Sequence, residues 1–134
     1  MLYLWIFGDN IEDVLGKISF LGFYLTVGVI GNLAHYLYDP FSQIPAIGAS
    51  GAVAGVLGAY FIFFPHAKIL TLVPLGFIIT AVYLPAVLFL GIWILLQTVN
   101  ALLTSPEATT SVAWWAHIGG FVAGMMVVFL RRLI

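Results

Sequence analysis

Between Lys17 and Lys68 this chain carries one charged residue, Asp39, and between Lys68 and Arg131 again only one, Glu107. Stretches of that length without charge cannot form the surface of a body dissolved in water. Over all 134 residues, charged side chains make up 7% and hydrophobic ones 63%, against roughly 25% charged in an ordinary soluble domain. A soluble globular protein is therefore excluded. A nucleic-acid binder is excluded too, because it needs a basic face to neutralise phosphates. Disorder requires low hydrophobicity and high charge, the reverse of this composition. The chain reads as an all-α polytopic membrane protein. It has no cysteine, hence no disulfide framework and no thiolate zinc site. No basic region precedes Met1-Leu2-Tyr3-Leu4-Trp5, so no cleavable signal peptide is expected.

The apolar runs break at clusters of polar, Gly and Pro residues, which predicts spans at about 18–38, 48–64, 75–100 and 112–130. At ~1.5 Å per residue each crosses, or nearly crosses, ~30 Å of hydrocarbon. Residues 1–7 cover only about 10 Å and read as the tail of a helix whose beginning is absent. The connections fall at 8–17, 39–47, 65–74 and about 101–111. Because consecutive spans alternate in direction, Lys17, Lys68, Arg131 and Arg132 all lie on one side. The bias of Lys and Arg toward cytoplasmic loops makes that side the cytoplasm and puts the C-terminus there. The expected location is the plasma membrane, with 39–47 and 101–111 outside.

Direction turns sequence position into depth. Ser50 precedes Pro65 by 15 residues and His117 precedes Arg131 by 14, so each lies roughly 21–22 Å above the cytoplasmic end of its own helix. Both helices carry small residues at intervals of three to four: Gly48, Gly51, Gly55 and Ala59 on one, with Ala52 and Gly58 beside them, and Ala113, Ala116, Gly120 and Gly124 on the other. Such faces let helices pack closely in lipid. If they meet, Ser50 and His117 come within hydrogen-bond reach. A serine becomes nucleophilic when a base takes its proton, and a histidine titrating near neutrality suits that role. Ser50 stands in the first turn of its helix, after Pro45 and Gly48. There the backbone around Gly48, Ser50 and Gly51 offers free N–H groups and the positive end of the helix dipole to an oxyanion. Asp9, Glu12, Asp13, Asp39 and Glu107 all lie outside the spans, so a Ser-His dyad is expected rather than a triad.

Plainer readings stand beside this one. Gly-Ala-Ser-Gly also serves as a packing motif, and His117 also suits a structural bond to a backbone carbonyl. His35 and Asn32, one turn apart, are expected to form interhelical hydrogen bonds. A His35–His117 metal site lacks a third ligand, and neither metal nor cofactor is expected. His66 reads as interfacial. Gln97 and Asn100 line a polar cavity or face the adjoining loop. Trp114 and Trp115 fit an interfacial aromatic belt, and Pro85 predicts a kink within its span. The scattered polar residues do not make the continuous stripe of a channel or transporter.

These residues resemble the rhomboid family of intramembrane serine proteases. Gly48-Ala49-Ser50-Gly51 with Gly55 and Gly58 is similar to the family's nucleophile motif. Ala116-His117-Ile118-Gly119-Gly120 with Gly124 is similar to its histidine motif. Trp5-Ile6-Phe7-Gly8-Asp9-Asn10 with Glu12-Asp13 resembles the segment that ends its second core helix. The resemblance covers essentially the whole chain. It implies that Ser50 is the nucleophile and His117 the general base, and that the span at 75–100 and the loop near 101–111 act as substrate gate and cap. It also implies one domain over 1–134 that lacks the family's first helix, first loop and start of the second helix. A histidine and an asparagine that help hold the oxyanion normally lie in that stretch. Losing such donors costs ~2.7–4 kcal/mol of transition-state stabilisation, so weak or absent activity is expected of residues 1–134 alone. Ala54 stands where some members carry a tyrosine that packs on the histidine, so His117 needs another group to orient it.

The expected function is peptide-bond hydrolysis in or near transmembrane segments of protein substrates, within the lipid bilayer and without nucleic acid. The alternative is a catalytically inactive rhomboid-like protein that binds membrane helices.

Overall fold

The computed structural model describes residues 1–45, 49–105 and 112–134. Among them the order of elements is α1 (Leu2–Leu15), α2 (Lys17–Tyr38), α3 (Ser50–Phe63), β1 (Lys68–Leu75), β2 (Ile78–Pro85), α4 (Ala86–Leu103) and α5 (Trp114–Leu133). Helices α2, α4 and α5 are long and apolar enough to cross a membrane. Their outward faces are apolar as well: Ile18, Leu21, Leu25, Val29 and Leu33 form an exposed stripe along α2. Lipid solvates such a surface and water does not.

The short helix α3 is the core. Nine of its fourteen residues are buried, and α1, α2, α4 and α5 all pack on it. A helix apolar all round has to be enclosed. Its approach to α5 is backbone to backbone. A Cβ placed on Gly120 would collide with the Gly51 carbonyl, one on Gly124 with the Gly55 carbonyl, and one on Gly58 with the Phe121 carbonyl. Residue numbers rise together along both helices, so α3 and α5 run parallel and keep one register. The buried positions of α5 include Ala116, Gly120, Gly124 and Val128, a spacing of four that keeps them on one side. Helix α2 closes on the same pair: a Cβ on Gly31 would lie 2.7 Å from the Ala116 carbonyl, and one on Gly28 3.0 Å from Ala52 Cβ.

Three boundaries differ from the sequence expectation. The apolar run at 1–7 belongs to a helix that continues to Leu15, and the expected connection at 8–17 shrinks to Gly16. Phe7, Ile11 and Leu15 are buried in turn along α1, and Phe7 meets Tyr60 edge-on at 4.8 Å. Gly16, at φ +83°, turns the chain directly into α2 while its N–H bonds Glu12 O at 2.7 Å. The span expected at 48–64 is a helix only over 50–63, as far as the described residues show, which is about 20 Å long.

The third difference is larger. Residues 68–85 form an antiparallel hairpin in place of the first part of the span expected at 75–100. The run Ile78-Ile79-Thr80-Ala81-Val82-Tyr83 is rich in β-branched and aromatic residues, which favour strands. Pro85 disfavours helix at the residue before it. Leu75 pairs with Ile78 across the two-residue turn Gly76-Phe77, with Gly76 at φ +65°, as right-twisted hairpins require. Pro85 is therefore no kink within a helix. It ends β2 and precedes α4, and Ala86 N and Val87 N bond Ala67 O and Pro65 O at 2.7 and 3.0 Å. Both ends of the hairpin are thus tied where α3 ends, so α4 still runs opposite to α3.

The glycine contacts yield a paired expectation. Gly120→Val destabilises the protein, by on the order of 1–3 kcal/mol if the backbones shift to accept it. Gly22→Ala, where an added Cβ meets nothing within 4 Å, is neutral or stabilising by ~0.5–1 kcal/mol. Thermal unfolding in detergent measures both.

Candidate active site

The first turn of α3 and the first turn of α5 lie side by side, because Gly51 packs on Ala116: a Cβ there would sit 3.3 Å from the Ala116 carbonyl. Ser50 and His117 therefore stand at one level, and both line a cavity of about 460 Å³. Tyr3, Val53, Trp93, Gln97 and Trp114 complete most of its wall. Ser50 is the first residue of α3, and no side chain caps that helix end. Among the described residues, Val53 N–H is the first in the turn with an acceptor, Ala49 O at 3.0 Å. The N–H groups of Ser50 and Gly51 precede it and have no intrahelical carbonyl to bond. Gly48, the third position expected to support an anion, lies outside the described residues.

Depth follows from length. A helix of about 20 Å cannot span ~30 Å of hydrocarbon. The Ser50 end of α3 thus stops short of one membrane surface. Irregular backbone at that depth is tolerated only where protein buries it or where it lines a water-filled cavity. The cavity lies beside that end of α3.

His117 does not bond Ser50 among the described residues. Its Nδ1 lies 2.7 Å from Gln97 Oε1. A carbonyl oxygen only accepts, so the ring N–H donates. Two tryptophans flank the imidazole: Trp93 tilted at 35° with centroids 6.0 Å apart, and Trp114 edge-on at 6.2 Å. Ala54 is buried and carries no ring, so aromatic support comes from α4 and from α5 itself. Sequence reasoning left Gln97 undecided between cavity and loop. Its spacing of four from Trp93, on one helix face, was the available signal.

The remaining polar residues separate. Asn100 Nδ2 bonds Leu96 O of its own helix at 2.9 Å and takes no part in the cavity wall. The hydrogen bonds expected of Asn32 and His35 are not formed: Asn32 is exposed, and His35 Nδ1 is buried without a partner among the described residues. The α2 face turned to α5 is occupied by Gly31 and Ala34, which leaves no room for a polar bridge there. Trp115 stacks on Tyr38 at 4.8 Å, and Tyr38 Oη donates to Thr104 O at 3.4 Å. These contacts join α2, α4 and α5 beside the cavity. His66 is exposed between α3 and the hairpin. Residues 106–111, most of the expected outer loop and including Glu107, lie outside the described residues.

Accessibility of Ser50 can be checked directly, because the chain has no cysteine. Ser50→Cys reacts with a small methanethiosulfonate reagent in the folded protein. Ala59→Cys, at a fully buried position, reacts only after unfolding. Mass spectrometry of the adduct reads both.

The rhomboid domain family model matches residues 1–133. The chain is 40% identical over 77 residues to rhomboid protein 1, mitochondrial, of Saccharomyces cerevisiae, covering 54% of this chain and 22% of that protein. It is 41% identical over 58 residues to the rhomboid protease GluP of Bacillus subtilis, covering 43% and 11%. To the human presenilin-associated rhomboid-like protein, mitochondrial, it is 29% identical over 135 aligned positions, covering 96% and 32%. The chain thus spans a third or less of the length of each of these relatives. No solved structure matches it.

Proposed function

The chain belongs to the rhomboid family and is an integral membrane protein, and from that premise we propose that it is an intramembrane serine endopeptidase built on Ser50 and His117. The observation that carries the proposal is the shared cavity: a serine at a recessed, uncapped helix start and a histidine on the neighbouring helix line one space. The relative in Bacillus subtilis is named a protease. Others are named only as rhomboid proteins or rhomboid-like proteins, which keeps a non-catalytic helix-binding role as the reading to be tested against.

In the proposed reaction, the Ser50 hydroxyl attacks the scissile carbonyl of a transmembrane substrate and His117 Nε2 accepts its proton. The tetrahedral oxyanion is held by the N–H groups of Ser50 and Gly51. His117 then gives the proton to the leaving amine, and an acyl-serine remains. Water, activated by the same imidazole, releases the acid and restores Ser50. Because the helices carry no carboxylate near the cavity, orientation of the base falls to neutral groups. The role of substrate gate passes to α4, which forms one cavity wall through Trp93 and Gln97, with the segment near 101–111 as cap.

Lys17, Lys68, Arg131 and Arg132 all lie at the end of the bundle away from the cavity, which orients that end to the cytoplasm or to its organellar equivalent. The cavity then opens toward the other side. Relatives include both bacterial and mitochondrial proteins. A plasma-membrane location is the form this orientation takes in a bacterium.

The test is fluorophosphonate labelling in detergent together with cleavage of a helical membrane substrate. Labelling and cleavage both fall by on the order of 10³-fold or more in Ser50→Ala and in His117→Ala. Labelling of the unaltered chain that persists in Ser50→Ala sinks the assignment. A version that also carries the family's first helix and loop, and that binds substrate helices but neither labels nor cleaves, favours the binding role.

A further inference from the structure

The contact between α4 and α5 at the cavity has a use that the dyad alone does not require. We infer that Gln97 is a positioning residue: its side-chain carbonyl holds His117 with the proton on Nδ1 and leaves the lone pair on Nε2. This rests on the reading of Ser50 and His117 as nucleophile and base. A neutral imidazole has one N–H and one acceptor nitrogen, and which is which is decided by the partner of the other nitrogen. Gln97 Oε1, 2.7 Å from Nδ1, can only accept. A base facing a serine hydroxyl has to present a bare nitrogen, and this bond supplies it.

The surroundings support orientation rather than a loose contact. Trp93, one turn before Gln97 on α4, and Trp114, one turn before His117 on α5, close on the ring from two directions. The ring therefore has little freedom to rotate away from the amide. Gln97 is itself only partly exposed. An amide also suits the location: a carboxylate in this role would be a charge within the membrane, which is expensive, whereas a glutamine gives the acceptor without the charge. Of the described acids, Asp9, Glu12, Asp13 and Asp39, none lines the cavity.

The experiment compares the unaltered chain with Gln97→Met, which keeps the length of the side chain without an acceptor, and Gln97→Glu, which keeps an acceptor. Nitrogen NMR of ¹⁵N-histidine-labelled protein in detergent reads the tautomer, with His35→Asn and His66→Asn variants used to assign the His117 signals. Fluorophosphonate labelling reads the reactivity of Ser50. The expected result is a protonated Nδ1 in the unaltered chain, a mixed or reversed tautomer in Gln97→Met, and labelling slowed there by on the order of 10- to 100-fold. Gln97→Glu restores most of the rate. A purely structural Gln97 would lower thermal stability in Gln97→Met while leaving the tautomer unchanged, and that result overturns the inference. A protonated Nε2 in the unaltered chain overturns it as well, without recourse to any variant. If the unaltered chain takes no label, the tautomer alone decides whether Gln97 positions the ring.

Discussion

Direct backbone contact between α3 and α5 is the interaction on which the rest of the molecule depends. Gly51, Gly55 and Gly58 face Ala116, Gly120, Phe121 and Gly124 with no side chain between them. In lipid no hydrophobic force draws helices together, so close van der Waals contact has to do so. Contact this close also removes freedom to slide: moving one helix by a residue would bring Val56 or Leu57 against a backbone that only glycine fits. The same contacts that hold the bundle together thereby hold Ser50 and His117 at one level. Helix α2 adds Gly28 and Gly31 to the seam, which makes a compact three-helix centre with larger side chains at its edges.

Around that centre, length does what charge does in a soluble enzyme. Helix α3 is too short to reach both membrane surfaces, and the deficit falls at its Ser50 end because the other end is fixed by the hairpin and by Arg132, which sits 5.6 Å from the centre of the Phe63 ring. The result is a recessed helix start, whose first N–H groups have no intrahelical acceptor, next to a cavity. Tyr3, Trp93 and Trp114 make most of that cavity apolar, and Gln97 and His117 add a small polar patch opposite the serine. A water-dependent reaction in a membrane needs both properties: a wet pocket, and walls that keep lipid out of it.

Much of this was legible in the residues themselves. The spans near 18–38 and 112–130, the small faces and the matched depth of Ser50 and His117 all followed from apolar run length, helical rise and the placement of four basic residues. The misreadings share one cause. Apolarity measures burial in lipid or protein and is silent about backbone conformation, so the strand-forming run 78–83 merged with the helix that follows Pro85. In the same way, Gly8-Asp9-Asn10 looked like the end of a helix. It is instead the middle of α1, where Gly8 is buried with Phe7, Ile11 and Leu15 while Asp9 and Asn10 are exposed. His35 and Asn32 were assigned partners from their residue type, but partners depend on which face a neighbouring helix covers.

The sequence by itself determined that this chain lives in a membrane, that its catalytic candidates are a serine and a histidine, and that its acids fall outside the predicted spans. Each of these depends only on residue identity, spacing along one helix, or the count of charges. Only the tertiary structure decided that Gln97 and not another group meets His117, that tryptophans from α4 and α5 flank the ring, and that Asn32, His35 and Asn100 stay out of the cavity. Those outcomes are set by the rotation of one helix against another. That rotation is fixed by packing between segments far apart in sequence, which no local pattern encodes.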